Sequence, residues 1–135
     1  MSEPLSLTVS LRGSQELINN CRVFHLTGLL DAFSEPVFRK VVSKYIEEGP
    51  PHVILDLTGI DFVDSSGVGA LVQLAKQVQG ESGSLQTVSN ARVTQTVKLV
   101  RLEKFLSLRQ SMAEALSYVP SASGSASEAG SAEST

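Results

Sequence analysis

VILDLTGIDFVDSSGVG, residues 53–69, decides how this 135-residue chain folds. Its opening, Val53-Ile-Leu-Asp-Leu57, is a short and almost continuous apolar run. Such a run suits a strand covered on both faces, as in a parallel sheet. Thr58 to Asp64 reads as a loop carrying Ile60, Phe62 and Val63. A helix is predicted from Ser65 or Ser66 to about Gly80, with Val68, Leu71, Val72, Leu74, Ala75 and Val78 recurring at helical spacing. Those side chains occupy much of the circumference, so the helix is expected to be well buried. Gly80 and Gly83 frame its exit.

Upstream, Leu5, Leu7, Val9 and Leu11 alternate with polar residues, which predicts a half-buried strand. Gly13 to Asn20 reads as a polar connection, and Cys21 to Thr27 as a second strand antiparallel to the first. Gly28 breaks that run. Ser34 is placed as a helix N-cap, with Glu35 and Pro36 in the first turn. Val37, Phe38, Val41, Val42, Tyr45 and Ile46 form one apolar face of the helix that follows, and Gly49-Pro50-Pro51 ends it.

Downstream, Leu85 to Val88 is a strand candidate. Ala91 to about Arg101 reads as a helix with Val93, Val97 and Val100 inward. Leu106 to Leu108 suits a short strand, and Ser111 to Tyr118 a last short helix with Met112, Ala115 and Leu116. Strands alternating with helices imply an α/β layer structure with a mostly parallel sheet and right-handed crossovers. Residues 120–135 contain only Pro, Ser, Ala, Gly, Glu and Thr. Such a segment cannot bury enough apolar surface to offset the ordering of the chain, so it is expected to be a disordered tail behind one domain spanning 1–119.

Composition narrows the function. Hydrophobic residues make up 41% of the chain, which predicts a globular core, and aromatics only 5%, with no Trp. Stacking platforms for single-stranded nucleic acid are therefore not expected. The formal charge is −3; Glu128 and Glu133 lie in the tail, leaving 11 basic against 12 acidic groups in residues 1–119. No electrostatic footprint for nucleic acid or anionic lipid is present. The N-terminal residues lack a basic and an apolar signal region, and no apolar run reaches membrane-spanning length, so a cytoplasmic location without membrane insertion is expected. Cys21 is the only cysteine and reads as a small core hydrophobe. His25 and His52 belong to no ligand-spaced cluster, so neither a metal site nor a cofactor is expected.

The chemistry concentrates at Asp64-Ser65-Ser66-Gly67, which sets two hydroxyls at a helix N-terminus where unpaired N–H groups and the helix dipole favour negative charge. Two readings fit. In one, Asp64 or Ser65 simply caps the helix, and Gly67 and Gly69 permit close helix–sheet packing. In the other, the serine is a regulatory phosphorylation site: a phosphate adds roughly two charges and three acceptors, and small neighbours leave access for a kinase. Asp56 is expected to be structural, paired to backbone N–H groups at the strand end.

DLTGIDFVDSSGVGALV, residues 56–72, resembles the signature of STAS domains of bacterial anti-sigma factor antagonists. Leu26-Thr-Gly-Leu-Leu-Asp31 is similar to that family's Gly-x-Leu-Asp element, and Val88-Ser-Asn-Ala-Arg-Val93 to its turn before the third helix. The resemblance covers roughly residues 5 to 118. It implies a mixed, mostly parallel sheet of four to five strands packed with about four helices. It also implies a non-enzymatic binding switch in which Ser65 is phosphorylated and Ser66 is a secondary candidate. Asp31, Asp64 and Gly67 then form the phosphosite environment and partner-docking face. For Asp31 and Asp64 the structural alternative is a turn or cap role. The implied partners are a GHKL-type serine kinase that doubles as anti-sigma factor, bound by the unphosphorylated form and released by the phosphorylated one, and a PPM-type serine phosphatase. Leu29 and Arg101 depart from the family pattern, which often has a charged residue and a glycine there.

Two other functions compete. A STAS subunit of a membrane lipid or ion transport complex would need no serine phosphorylation; the intact Asp64–Gly67 motif favours the switch. An enzyme with Ser65 as nucleophile would need a base and an oxyanion hole, and the Gly-x-Ser-x-Gly elbow is absent.

Overall fold

The computed structural model describes residues 2–119, and the tail expected at 120–135 lies outside them. Chain order runs β1 (Glu3–Pro4), β2 (Leu11–Ile18), β3 (Cys21–Leu30), α1 (Glu35–Glu48), β4 (His52–Val63), α2 (Ser65–Gly80), β5 (Ser84–Val88), α3 (Ala91–Leu99), β6 (Leu108–Arg109) and α4 (Met112–Ser117). The sheet order is β1-β2-β3-β4-β5-β6, antiparallel for the first two pairs and parallel for the last three. The sheet is thus mixed and mostly parallel, with four helices. It reaches six strands because two-residue strands pair at both edges.

Sequential strand order with right-handed crossovers sends α1, α2 and α3 to the same face. There Phe38, Val42 and Ile46 of α1, the apolar side of α2, and Val93 and Val97 of α3 close over Phe24, Leu26, Val53, Leu55 and Leu57. Among the described residues the opposite face is covered by α4, whose Ala115 packs on Cys21, Val23, Ile54 and Val88. Fully burying one such aliphatic side chain contributes about 1.5–3 kcal/mol, so this two-sided core dominates the stability. Buried Arg22 anchors the hairpin to the end of α1: its guanidinium donates to Gln15 and to the Gly49 carbonyl (2.7 Å) and lies 4.9 Å from the Tyr45 ring centroid.

Several expectations change. The alternating segment Leu5–Leu11 is not one strand, because the chain reverses within it. Thr8 N–H donates to the Leu11 carbonyl, and Thr8 Oγ1 accepts from Leu11 N–H. Leu5 and Leu7 still pack on the core, while Val9 is 94% exposed at the turn. The predicted polar connection is instead β2, joined to β3 by Asn19-Asn20, with Asn19 in the left-handed region that asparagine tolerates (φ 55). Gly28 does not end β3. It lies inside the strand at φ 112, where a Cβ would sit 2.2 Å from the Ser10 carbonyl oxygen. The predicted loop Thr58–Asp64 belongs mostly to β4, which runs on to Val63. Val100 is 47% exposed, since α3 stops one residue before it.

α3 ends in a paired reverse turn: Leu102 N–H donates to the Val97 carbonyl and Arg101 N–H to that of Lys98. This motif places Arg101 at φ 60, where glycine is normally preferred. That conformation costs a non-glycine residue about 1–2 kcal/mol, partly offset in a variant by the extra unfolded-state freedom of glycine. Arg101→Gly is therefore expected to stabilise the domain by up to about 1 kcal/mol, read as a rise in the urea midpoint at unchanged slope.

Candidate functional site

β3 and β4 are parallel neighbours that end together, Leu30 opposite Val63. Each is followed by an aspartate and then a helix. Asp31 turns the chain into α1. Its carbonyl accepts from Glu35 N–H (2.8 Å), and its carboxylate from Phe33 and Ser34 N–H (3.1 and 3.0 Å). Ser34, expected to cap α1 with its side chain, does not. Its buried hydroxyl donates to the Leu29 carbonyl and accepts from Asp31 N–H, while the Asp31 carboxylate closes the turn that leads into the helix.

Asp64 does the same for α2 and also reaches across. Its carbonyl accepts from Val68 N–H and its Oδ1 from Gly67 N–H, both at 2.9 Å. Its Oδ2 accepts from Ala32 N–H at 3.1 Å, and its own N–H donates to the Leu30 carbonyl. One carboxylate therefore binds two helix-entry loops side by side. Gly67 makes the approach possible: a Cβ there would lie 2.3 Å from the Leu30 carbonyl oxygen. Gly69, also expected to serve close packing, has open space at that position.

Ser65 begins α2 and is exposed, while Ser66 is half-buried along the groove between α1 and α2, near Glu35 and Arg39. Among the described residues neither hydroxyl has a hydrogen-bond partner, so Asp64 holds the cap and both serines are spare. Around them the end of the sheet presents apolar side chains. Phe33 is 78% and Phe62 51% exposed, with Leu29, the strand partner of Phe62, and Val37 also open to solvent. The sequence pointed to Leu29 alone. Phe33 and Phe62 each precede a motif residue, Ser34 or Asp64, by one or two positions, a signal overlooked because both look like core residues.

Asp56 pairs with backbone as expected, accepting from Thr58 N–H and Oγ1 (3.1 and 2.7 Å). Its other oxygen meets His25 Nδ1 at 2.7 Å, and His25 Nε2 meets Glu16 at 2.6 Å. His25, set aside on sequence, thus bridges β2, β3 and β4. Burial alone would lower the imidazole pKa, but the two carboxylates outweigh it and raise it above 6.5. Burial would raise the Asp56 pKa, but the bonds to Thr58 and His25 bring it below 3.8. The carboxylates occupy opposite ring nitrogens, and among the described residues no group of three or more acidic, His or Cys side chains is arranged to hold a metal ion. Burial pushes the Cys21 thiol up to about 12, which keeps it unreactive at neutral pH.

The chain belongs to the STAS domain family, whose model matches residues 14–115. A Thermotoga neapolitana protein described as a homologue of a candidate anti-sigma factor antagonist is 27% identical over 85 residues, 62% of this chain and 75% of that protein. Among solved structures, an anti-sigma factor antagonist from Mycobacterium paratuberculosis superposes with a TM-score of 0.73 at 22% identity, covering 85% of this chain and 98% of that one. The anti-sigma factor antagonist SpoIIAA in its unphosphorylated form gives 0.65 at 21% identity, with 77% and 92% covered. Its phosphorylated form from Bacillus gives 0.60 at 20%, with 78% and 96% covered. The fold also occurs inside the murine anion transporter Slc26a9, with a TM-score of 0.67 at 19% identity, where this chain covers 18% of the transporter and 76% of itself is covered. Among the described residues no helix is long and apolar enough to cross a membrane.

Two outcomes follow from this geometry. Asp64→Ala, which loses a cap and a cross-link, is expected to destabilise by about 1–2 kcal/mol, and Gly67→Ala by about 1–3 kcal/mol through overpacking, both measured by denaturant unfolding. The His25 bridge sets a pH window. The imidazole's contribution is complete below its unfolded value of 6.5 and is lost as pH rises through the higher folded value. The Asp56 contribution is complete above 3.8 and is lost as pH falls through the lower folded value. The stability difference between wild type and His25→Gln is expected to be greatest between those limits and to shrink above pH 6.5.

Proposed function

We propose that this chain is an anti-sigma factor antagonist, a binding switch thrown by phosphorylation of Ser65. One observation carries the reading: the Ser65 hydroxyl is exposed and has no capping duty, because Asp64 has taken it. A kinase can therefore modify Ser65 without unravelling α2. The relatives named as anti-sigma factor antagonists, one of them known in phosphorylated and unphosphorylated forms, support the same assignment.

The switch is electrostatic. The γ-phosphoryl of ATP passes to Ser65 Oγ, the hydroxyl proton leaves to a base on the kinase, and ADP departs. The phosphoserine carries about −1.5 to −2 at neutral pH. It would stand beside Asp31 and Asp64, whose oxygens already serve backbone N–H groups. Both capping groups are themselves acidic, and a partner lying against Phe33 and Phe62 would have to desolvate the phosphate. The unphosphorylated face binds a GHKL-type kinase that is also an anti-sigma factor. The phosphorylated face releases it, and a PPM-type phosphatase resets the cycle. Ser66, half-buried in the α1–α2 groove, is the poorer substrate. In this reading the protein works in the cytoplasm and catalyses nothing itself.

The test uses tagged wild type, Ser65→Ala and Ser65→Asp as baits in host lysate, with mass spectrometry of captured proteins and of the Ser65 peptide. The expected result is a GHKL-type kinase on Ser65→Ala, little or none on Ser65→Asp, and phosphate on Ser65 in the wild type. Equal capture of transporter components by all three baits, with Ser65 unmodified, would overturn the proposal in favour of a transport subunit.

A further inference from the structure

Among the described residues, the end of β4 that leads to Ser65 has a strand neighbour on one side only. β5 pairs with β4 from His52↔Ser84 to Asp56↔Val88 and stops, while β4 continues to Val63. On the other side, pairing with β3 is interrupted twice, between His25 and Thr27 and between Gly28 and Leu29, where β4 has extra residues. The carbonyls left open on the β5 side converge on one side chain. Asn90 Nδ2 lies 3.3 Å from the Leu57 oxygen, 3.2 Å from that of Thr58 and 2.8 Å from that of Ile60. The other end of the same amide, Oδ1, accepts from Val93 N–H at 2.8 Å and caps α3. The orientation of the amide is fixed by chemistry, since a flipped side chain would aim its oxygen at three carbonyls and its NH₂ at an N–H.

We propose that Asn90 is a positioning residue for partner docking: its amide clamps the tail of β4 to the start of α3 and so fixes the segment Asp61–Ser65 that the partner meets. This rests on the reading of Ser65 as the switch residue. The clamped segment carries exposed Phe62 and runs directly into Asp64 and Ser65. Arg92, one residue into α3, reaches the same segment at the Asp61 carbonyl (3.4 Å). A helix cap alone needs only an acceptor, which Asp or Ser supplies as well as Asn. Holding carbonyls at the same time needs a donor on the same short side chain. Among the good caps only asparagine carries an NH₂ with two donors on an atom separate from its acceptor; a serine or threonine hydroxyl has a single donor, on the accepting atom itself.

That difference separates the clamp from the cap. Asn90→Ser and Asn90→Asp both keep an acceptor for Val93 N–H, but neither can reproduce the NH₂ group, and Asp sets a carboxylate against the carbonyls. Hydrogen exchange on the free proteins and steady-state phosphorylation by the purified kinase identified on the Ser65→Ala bait read the two halves of the proposal. Both variants are expected to keep the wild-type protection of α3, to exchange amides in residues 58–64 at least about tenfold faster, and to raise KM for Ser65 phosphorylation about tenfold with little change in kcat, as freed residues are ordered again on binding. Unchanged protection across 58–64 would show that the amide holds nothing. Faster exchange with an unchanged KM would show that the clamp does not serve docking. Should α3 lose protection in both variants, the cap is the whole of the role and the proposal fails. If the Ser65→Ala bait captures no kinase, the reading of Ser65 has failed and the docking role falls with it, while the exchange data still decide whether Asn90 holds β4.

Discussion

The Asp64 carboxylate is the constraint on which the site depends. A helix start leaves N–H groups without partners, and two parallel strands ending together bring two such starts into contact. Asp64 serves both, bonding Gly67 N–H within its own helix and Ala32 N–H in the loop that enters α1. The geometry tolerates no Cβ at residue 67, because α2 begins against the Leu30 carbonyl. Asp31 satisfies N–H groups of the turn that leads into α1 in a similar way. With both helix ends closed by aspartates, the following serine has no structural duty and lies open on the surface.

Polar cross-ties at a distance hold the sheet that supports this arrangement. Arg22 draws the β2–β3 hairpin to the end of α1, where a cation also complements the helix dipole. On the opposite face His25 links Glu16 and Asp56 across three strands, and Asp56 at the same time bonds Thr58, two residues beyond its own place at the end of the β5 ladder. Asn90 then takes over from the other side. The irregular part of β4 is therefore held by side chains on the edge that β5 leaves unpaired, and this part carries Phe62 toward the site.

The face so presented joins an apolar rim to an exposed hydroxyl. Phe33 and Phe62 are large side chains left in water, a cost that a binding surface recovers when a partner covers them. Leu29, which departs from the charge often found at that position in the family, extends the same rim. In the proposed switch a phosphate on Ser65 would turn this face from apolar to anionic while leaving the Asp64 cap of α2 in place.

The apolar periodicity by itself determined the helices α1, α2, α3 and α4, the buried start of β4, the strand β5 and the layer arrangement, because those elements bury one face and must show it in their spacing. The Asp64-Ser65-Ser66-Gly67 motif likewise marked the site. It left open whether Asp64 or Ser65 is the cap, since either side chain can accept that bond, and only the folded chain decided for Asp64. The hairpin was misread for a related reason. β2 is half-buried and tolerates polar residues, whereas the alternating Leu5–Leu11 segment turns back on itself through bonds at Thr8 that no hydrophobic pattern encodes. The extension of β4 to Val63, the turn into α1 closed by the Asp31 carboxylate rather than capped by Ser34, the His25 bridge and the Asn90 clamp all join residues distant in sequence or depend on the direction of a single hydroxyl or amide. Local spacing specifies which faces are apolar, but the pairing of polar groups is settled only when tertiary packing brings their partners within hydrogen-bond reach.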